Sequence, residues 1–164
     1  MNLIDKFNQL NKSEFIYIFG NVFEKTEWIA RRCYDSKPYN NLDELVSKMM
    51  KIFENIEKGK HLEILNSHPD LAVAKKLTED SKNEQKNASL NQCTNEEFME
   101  FKKLNEEYKK KFNFPFIIAV KGKNKEEILN NFRQRLTNNI NLEFEEAKKQ
   151  VKKIASFRLS EIIK

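Results

Sequence analysis

The chain has 164 residues, of which 34% are charged, and a formal net charge of +5. This length fits one domain, which we predict to cover residues 1–164 around a single hydrophobic core. Because 25 of the 30 basic residues are lysine and they alternate with acids along the chain, the charge indicates a solvated surface and argues against nucleic-acid binding.

Glycine and proline are scarce, with three of each, so the chain lacks the turn residues that a many-stranded protein needs. We therefore predict a compact all-α fold of several helices. Ser13 is predicted to cap an early helix. Its apolar residues are Phe15, Ile16, Ile18, Phe19, Val22 and Phe23. A further helical stretch carries Trp28 and Ile29, and the clearest amphipathic helix of the front half begins at Asn41.

The middle of the chain contains the stretch "LNSHPDLA", residues 65–72. A short helical segment, 61–66, leads into it, and residues 71–77 are predicted to form another short helix. Because proline disfavours the helical conformation of the residue before it, His68 should leave the helix at Pro69 and present its ring in an extended or turn geometry.

Two capping-box patterns follow, "SKNE" within residues 81–85 and "TNEE" at 94–97, and each is predicted to start a helix. The second helix should stop near Asn113. The apolar run "FPFIIAV", residues 114–120, is predicted to form one short extended segment against the helices. A turn at "KGKN" precedes a helix through Ile128, Leu129, Phe132 and Leu136, and a last long helix from about Asn141.

Several patterns that would indicate secretion, membrane insertion or a cofactor are missing from the sequence. Cys33 and Cys93 have no metal-site spacing, and the first ten residues lack the plan of a signal peptide. No apolar run reaches the roughly 20 residues that cross a bilayer. We expect a soluble, cytoplasmic protein with no membrane partner. Glycine-rich phosphate loops, nucleophile elbows and metal-ligand clusters are also missing, so we expect chemistry without a metal or other cofactor.

Two polar features resist a purely structural explanation. Arg158 lies on the apolar stripe of the last helix, so its guanidinium needs an acid or an anionic ligand beside it. The alternative is that the side chain extends to solvent near the helix end. His68 is suited to proton transfer near neutral pH, but a histidine at a helix end is also a common cap or polar contact.

Two further stretches have open interpretations. Ser81, Glu84 and Gln85 offer a hydroxyl, a carboxylate and an amide near a helix start, although the sequence alone favours a capping box. The apolar side chains of 114–120 would bury a backbone whose amides still need partners. Such amides can bind an oxyanion or a planar polar ligand. More often, an apolar segment of this kind is simply part of the hydrophobic core.

In order along the chain, "FGNVFEKTEWIARR", "HPDLA", "SKNEQKNASL", "FKKLNEEYKKKFNFPFII", "ILNNFRQRL" and "VKKIASFRL" resemble the 2-oxo-4-hydroxy-4-carboxy-5-ureidoimidazoline (OHCU) decarboxylases of urate breakdown. The match covers nearly the whole chain. The resemblance implies a compact all-α fold, commonly a homodimer, with no cofactor. It also implies a carbon–carbon lyase of purine catabolism that converts OHCU to (S)-allantoin.

The resemblance also implies a site. It makes His68 the proton donor and places Glu84 and Arg158 at positions associated with the reaction. Substrate contacts fall on Pro69, Ser81, Lys82, Asn83, Glu84, Gln85, Phe116, Ile117, Ile118, Ala119 and Val120. In two places the sequence departs from the family pattern: Ser89 stands where glycine is frequent, and "AVAKKL" replaces a glycine-containing continuation of the histidine motif.

In the implied mechanism, the electron pair left by CO2 enters the C=N bond of the substrate's own ring, so no cofactor is needed. Arg158 would hold polar or anionic groups of the substrate. The amides of Ile118 and Val120 would bind a carbonyl or enolate oxygen, and Ser81 with Gln85 would orient the ureido group. Glu84 would orient His68, which protonates one face of the carbanionic carbon. The alternative is a non-catalytic helical module that binds a ureide or a partner protein.

Overall fold

The computed structural model describes residues 1–73 and 77–164. Within these residues the chain forms nine helices and no strand, which confirms the predicted all-α class. The helices are α1 (Leu3–Gln9), α2 (Lys12–Phe19), α3 (Glu27–Asp35), α4 (Leu42–Glu54), α5 (Lys58–Ser67), α6 (Glu79–Asn87), α7 (Asn95–Phe112), α8 (Lys125–Arg135) and α9 (Ile140–Ile162). None of the helices in the described residues is both long enough and apolar enough to span a membrane.

The chain groups into two compact units. Unit 1 consists of Met1–Ser67 and Lys152–Lys164, and unit 2 of His68–Val151. The first division falls directly between α5 and His68, and the second lies within α9. The prediction that residues 1–164 make a single domain stays a prediction.

The core of unit 1 is built from aromatic rings. Phe15 contacts Phe19 with ring centroids 4.6 Å apart, and Phe23 stacks on Phe53 at 5.0 Å. His61 packs edge-on against Phe53, and its Nε2 lies 2.7 Å from the Phe53 carbonyl oxygen. One of the two histidines of the chain is therefore a core residue with a backbone hydrogen bond.

The core of unit 2 surrounds Tyr108. Its ring lies within 6 Å of four phenylalanine rings, those of Phe112, Phe114, Phe116 and Phe132. The Tyr108 hydroxyl donates to Glu143, and burial together with this hydrogen bond raises the pKa of the phenol above its ordinary value. The apolar residues that α7 and α8 present at helical spacing thus form one aromatic cluster.

Several predicted helix ends are confirmed. Asn41 caps α4 through a hydrogen bond from the Glu44 amide. Thr94 and Glu97 form the predicted capping box of α7, and Asn113 ends that helix in the left-handed conformation with φ of 63°. In these cases the capping residues act on groups three or four positions away, so the local sequence suffices to specify them.

Two predicted caps are wrong. Asn11, not Ser13, caps α2, where it forms a capping box with Glu14. That helix ends at Phe19, before Val22 and Phe23. Thr78, not Ser81, caps α6, and Ser81 lies inside the first turn, where its amide donates to the Thr78 hydroxyl. In both cases an upstream residue with its own capping side chain takes the position first.

Other boundaries also differ from the prediction. Helix α1 was not predicted, and α5 begins at Lys58, before the expected 61–66 segment. Of the short helix predicted for 71–77, residues 71–73 and 77 are not helical, and the centre of the segment lies outside the described residues. Residues 115–120 are buried and belong to neither helix nor strand, in agreement with an apolar segment packed against helices.

Candidate active site

His68 is the first residue after α5, and Pro69 follows it. The helix ends at Ser67 because proline excludes the helical conformation at the residue that precedes it. The His68 side chain is buried, with 8% of the residue exposed. A titratable ring thus leaves the helix where the sequence predicted, at the start of an irregular loop, residues 68–73.

Helices α6 and α7 hold the backbone of this loop by side-chain hydrogen bonds. The Gln85 side-chain amide bridges two loop residues: Nε2 donates to the Asp70 carbonyl at 3.2 Å, and Oε1 accepts from the Ala72 amide at 3.0 Å. Asn105 Nδ2 donates to the Leu71 carbonyl at 3.0 Å. Three consecutive residues of the loop are therefore fixed by two buried amide side chains, and Ala72 adopts a φ of 52°.

An ion pair adds a third restraint to the loop. Lys109 Nζ lies 2.6 Å from Asp70 Oδ2, and the Asp70 side chain is only 11% exposed. Neither this ion pair nor the role of Asn105 was predicted from the sequence. A signal for Asn105 was present, because it lies on the buried face of α7 beside Phe101, Leu104 and Tyr108. A polar residue on an apolar stripe needs a partner.

The side chains of residues 81–85 on α6 differ in their exposure to solvent. Ser81 and Gln85, one turn apart, are both buried, and Glu84 is partly buried. Lys82 and Asn83 are exposed, so their place among the substrate contacts rests on the resemblance alone. Both ends of the Gln85 amide are engaged with the His68 loop, which gives this residue a role in loop geometry that the sequence did not indicate.

The apolar segment 116–120 is tied to α8 and α9 at two backbone atoms. Arg135 Nη1 donates to the Ile117 carbonyl at 2.6 Å, and the Ala119 amide donates to Gln150 Oε1 at 2.9 Å. Phe116 stacks on Phe132 at 3.8 Å, and the Arg135 guanidinium lies over the Phe116 ring. Within residues 1–73 and 77–164, the amides of Ile118 and Val120 have no hydrogen-bond partner.

Arg135 belongs to a buried network that the sequence analysis did not find. Its Nε donates to Glu143 Oε1 at 2.6 Å, and Glu143 is fully buried. Tyr108 donates to the same oxygen, and Asn138 Nδ2 donates to the other oxygen at 3.0 Å. Two neutral donors thus support the Glu143 carboxylate, and the Ile117 carbonyl accepts from the Arg135 guanidinium, so each charge has a neutral partner, as a buried ion pair requires.

Arg158 lies in unit 1, as do Glu24 and Asn21, to which it donates hydrogen bonds. Its Nη2 donates to Glu24 Oε2 at 2.8 Å and its Nη1 to the Asn21 carbonyl at 2.7 Å. The side chain is 5% exposed and that of Glu24 is fully buried. The inward position and the need for an acid are confirmed, and extension to solvent is wrong. The acid is 134 residues away in sequence.

The structure explains one departure from the family pattern. Ser89 follows the end of α6 with a φ of 61°. Its amide donates to the Lys86 carbonyl, and the Leu90 amide donates to the Gln85 carbonyl. These two bonds define a Schellman motif, in which the residue at the left-handed position is usually glycine.

We expect Ser89→Gly to raise the free energy of unfolding by about 0.5–1 kcal/mol. The left-handed conformation costs a non-glycine residue about 1–2 kcal/mol, and the greater freedom of glycine in the unfolded chain offsets part of the gain. Urea unfolding measures the difference. Ser156→Gly, inside α9, serves as the control and should lower stability instead. Loss of stability in both variants would contradict the assigned strain at Ser89.

The contacts in unit 2 tie predicted site residues to the elements around them. Gln85 is bonded to the loop that carries His68 and Pro69, while 116–120 is bonded to α8 and α9. In the described part of the chain, no group of three or more histidine, cysteine, aspartate or glutamate residues is placed to hold a metal ion. Cys33 and Cys93 are both free thiols.

Comparison with known proteins identifies close relatives. A family model described as OHCU decarboxylase matches residues 8–160. The chain is 41% identical over 164 residues to the uric acid degradation bifunctional protein of Bacillus sp. (strain TB-90), covering 100% of this chain and 33% of that protein. It is 34% identical over 158 residues to the 2-oxo-4-hydroxy-4-carboxy-5-ureidoimidazoline decarboxylase of Haloferax volcanii, covering 96% and 94%.

The fold gives the same result. A crystal structure of (S)-allantoin synthase superposes with a TM-score of 0.79 at 25% identity, covering 100% of this chain and 54% of that chain. The chain spans about a third of the length of the two Bacillus relatives. Since the family model covers nearly the whole chain and the Haloferax relative matches it almost end to end, the chain belongs to the OHCU decarboxylase family.

Proposed function

We propose that this protein is a carbon–carbon lyase that decarboxylates OHCU to (S)-allantoin in urate degradation. Family membership supports the reaction class, and the name of the Haloferax relative supports the substrate. The structural observation that carries the proposal is the position of His68, a buried ring at a helix end whose following backbone is clamped by Gln85 and Asn105.

The proposed reaction needs one proton at one carbon. The bond to the carboxylate breaks, CO2 leaves, and the electron pair moves into the C=N bond of the substrate ring. His68 then donates its proton to one face of the resulting carbanionic carbon, which sets the (S) configuration. The clamped loop supports this role because a proton donor acts efficiently only at a defined distance and angle.

The remaining residues are proposed to bind and orient the substrate. Glu84, partly buried on α6, orients His68, Ser81 contacts the ureido group, and Pro69 contributes a further substrate contact. Phe116 contributes a substrate contact, and the amides of Ile118 and Val120 donate hydrogen bonds to a carbonyl oxygen or to the oxygen of a developing enolate. Arg158 is proposed as an anion-binding catalytic residue on the resemblance alone. Gln85 takes a positioning role through its bonds to the loop.

We also propose that the protein works as a homodimer in the cytoplasm and needs no metal or organic cofactor. The decisive experiment supplies freshly generated OHCU and follows the circular dichroism of the product with and without EDTA. We expect the protein to speed the appearance of optically active allantoin equally in both. Activity lost in EDTA and restored by a divalent metal would contradict the cofactor-free mechanism. No acceleration at all, together with binding of allantoin, would favour a non-catalytic ureide-binding module.

A further inference from the structure

The segment 116–120 is buried but has no secondary structure of its own to fix its peptide groups. Every residue in it is at most 5% exposed. Buried peptide groups normally have partners, and here side chains supply two of them. Arg135 Nη1 binds the Ile117 carbonyl at 2.6 Å, and Gln150 Oε1 binds the Ala119 amide at 2.9 Å. These two contacts lie on alternate residues of the segment.

The alternating direction of backbone groups along an extended chain indicates which peptide groups of the segment remain available to a ligand. In an extended chain, the backbone groups of residues 117 and 119 point to one side, and those of 118 and 120 to the other. Arg135 and Gln150 bind at Ile117 and Ala119. The amides of Ile118 and Val120 have no partner within the described residues, and such alternation would turn them to the other side of the segment. The segment is thus held at two alternate residues and keeps two amide donors available.

The two holding side chains are themselves held. Gln150 Nε2 donates to Glu146 Oε1 at 2.8 Å, one turn earlier on α9. Arg135 donates to the fully buried Glu143 and lies over the Phe116 ring at 4.4 Å. Both supports therefore come from regular helices whose side chains have fixed partners. Such supports restrict the backbone more closely than a loop could.

We propose that Gln150 and Arg135 are positioning residues for the decarboxylation: they bind the 117 and 119 peptide groups so that the amides of Ile118 and Val120 face the substrate oxygen. This inference rests on the proposed function. Preorganised donors act mainly on the charge that develops in the transition state. Loosening them should therefore lower kcat more than it raises KM.

The test starts with Gln150→Met, which keeps the length of the side chain and removes the acceptor for the Ala119 amide. We expect kcat to fall roughly tenfold, the order expected for losing one well-placed hydrogen bond, with a KM change under about threefold. The Ala119 amide should exchange with deuterium faster than in the wild type. The control is Gln134→Met on α8, where the side chain is exposed, and it should alter neither kinetics nor exchange at Ala119.

A rescue variant separates positioning from packing. The double variant Gln150→Glu, Glu146→Gln exchanges the two side chains and keeps both an acceptor for Ala119 and a bond between the two positions. It should recover most of kcat and the slow exchange. Arg135→Lys tests the other contact independently, since it keeps the charge beside Glu143 but loses the forked geometry at the Ile117 carbonyl.

The outcomes distinguish this role from the proposed function. A wild-type protein that does not accelerate the reaction overturns the function and this role with it. An active wild type whose folded Gln150→Met and Arg135→Lys variants keep wild-type kcat and KM overturns the role alone. If Gln150→Met does not fold, Arg135→Lys and the exchanged pair decide by the same measurements. Faster exchange at Ala119 without a change in kcat also counts against the role.

Discussion

Replacing His68 with asparagine should lower the enzyme-dependent rate by roughly 10²-fold or more, the usual loss when a general acid is removed. Asparagine is polar and tolerated at helix ends, so it preserves the turn before Pro69 but cannot supply a proton. The clamp on residues 70–72 by Gln85 and Asn105 does not involve the imidazole, so the loop should persist. (S)-Allantoin, used as a binding probe in calorimetry, should still bind.

The product's handedness gives a second readout for the His68→Asn variant. Protonation in free solution has no preferred face, so substrate that breaks down without the enzyme yields racemic allantoin. The variant should therefore lose the circular dichroism signal while total allantoin still accumulates. A folded variant that makes (S)-allantoin at the wild-type rate would show that the proton comes from another group.

His61→Asn is the matched control for the histidine substitution. His61 is equally buried, but it lies in the core of unit 1, bonded to the Phe53 carbonyl. Its loss should lower the free energy of unfolding by about 1–3 kcal/mol. The rate per folded molecule should stay near that of the wild type. Together the two variants distinguish a reacting histidine from a packed one.

Replacing Arg158 with methionine should lower the free energy of unfolding by about 3–5 kcal/mol. The methionine fills much of the space of the arginine stem, but the Glu24 carboxylate, fully buried, loses the guanidinium 2.8 Å away. An uncompensated buried charge is the costly result. Chemical denaturation measures the loss. Arg31→Met is the control, because its pair with Glu27 is about half exposed and should contribute at most about 0.5 kcal/mol.

Removing both partners separates stability from catalysis at Arg158. The double variant Arg158→Met, Glu24→Leu leaves no buried charge behind and should recover most of the lost stability. If Arg158 binds the substrate, the refolded double variant should still decarboxylate slowly. Recovery of full turnover would show that the arginine serves only Glu24. A single variant as stable as the wild type would contradict the buried pair itself.

The local sequence was sufficient to predict a helix end wherever only one residue pattern could determine it. The capping box at Thr94, the start of α4 at Asn41 and the helix end before Pro69 were predicted because each depends on groups a few residues apart. The caps at Ser13 and Ser81 were wrong because Asn11 and Thr78 competed for the same role upstream. Capping propensity does not tell which of two neighbouring candidates will cap a helix, since Ser, Thr and Asn stabilise helix N-termini by similar amounts.

The candidate site was predictable only in part. His68 stood out because Pro69 dictates its local geometry, and Arg158 because its position interrupts an apolar stripe. The partners of these and other polar groups did not stand out. Glu24, Asn105, Gln150 and Arg135 reach Arg158, Leu71, Ala119 and Ile117, respectively, over sequence separations from 18 to 134 residues.

By itself, the sequence determined the all-α class, most of the helices, the exit of His68 from its helix and the place of Arg158 on the apolar stripe of the last helix. Periodicity, capping and proline sterics are local, so they can be read along the chain. Only the tertiary structure decided that Gln85 and Asn105 hold the His68 loop, and that Arg135 and Gln150 hold the peptide groups of 117 and 119. The reason is that a buried polar group must find a partner, but which partner depends on packing between distant helices.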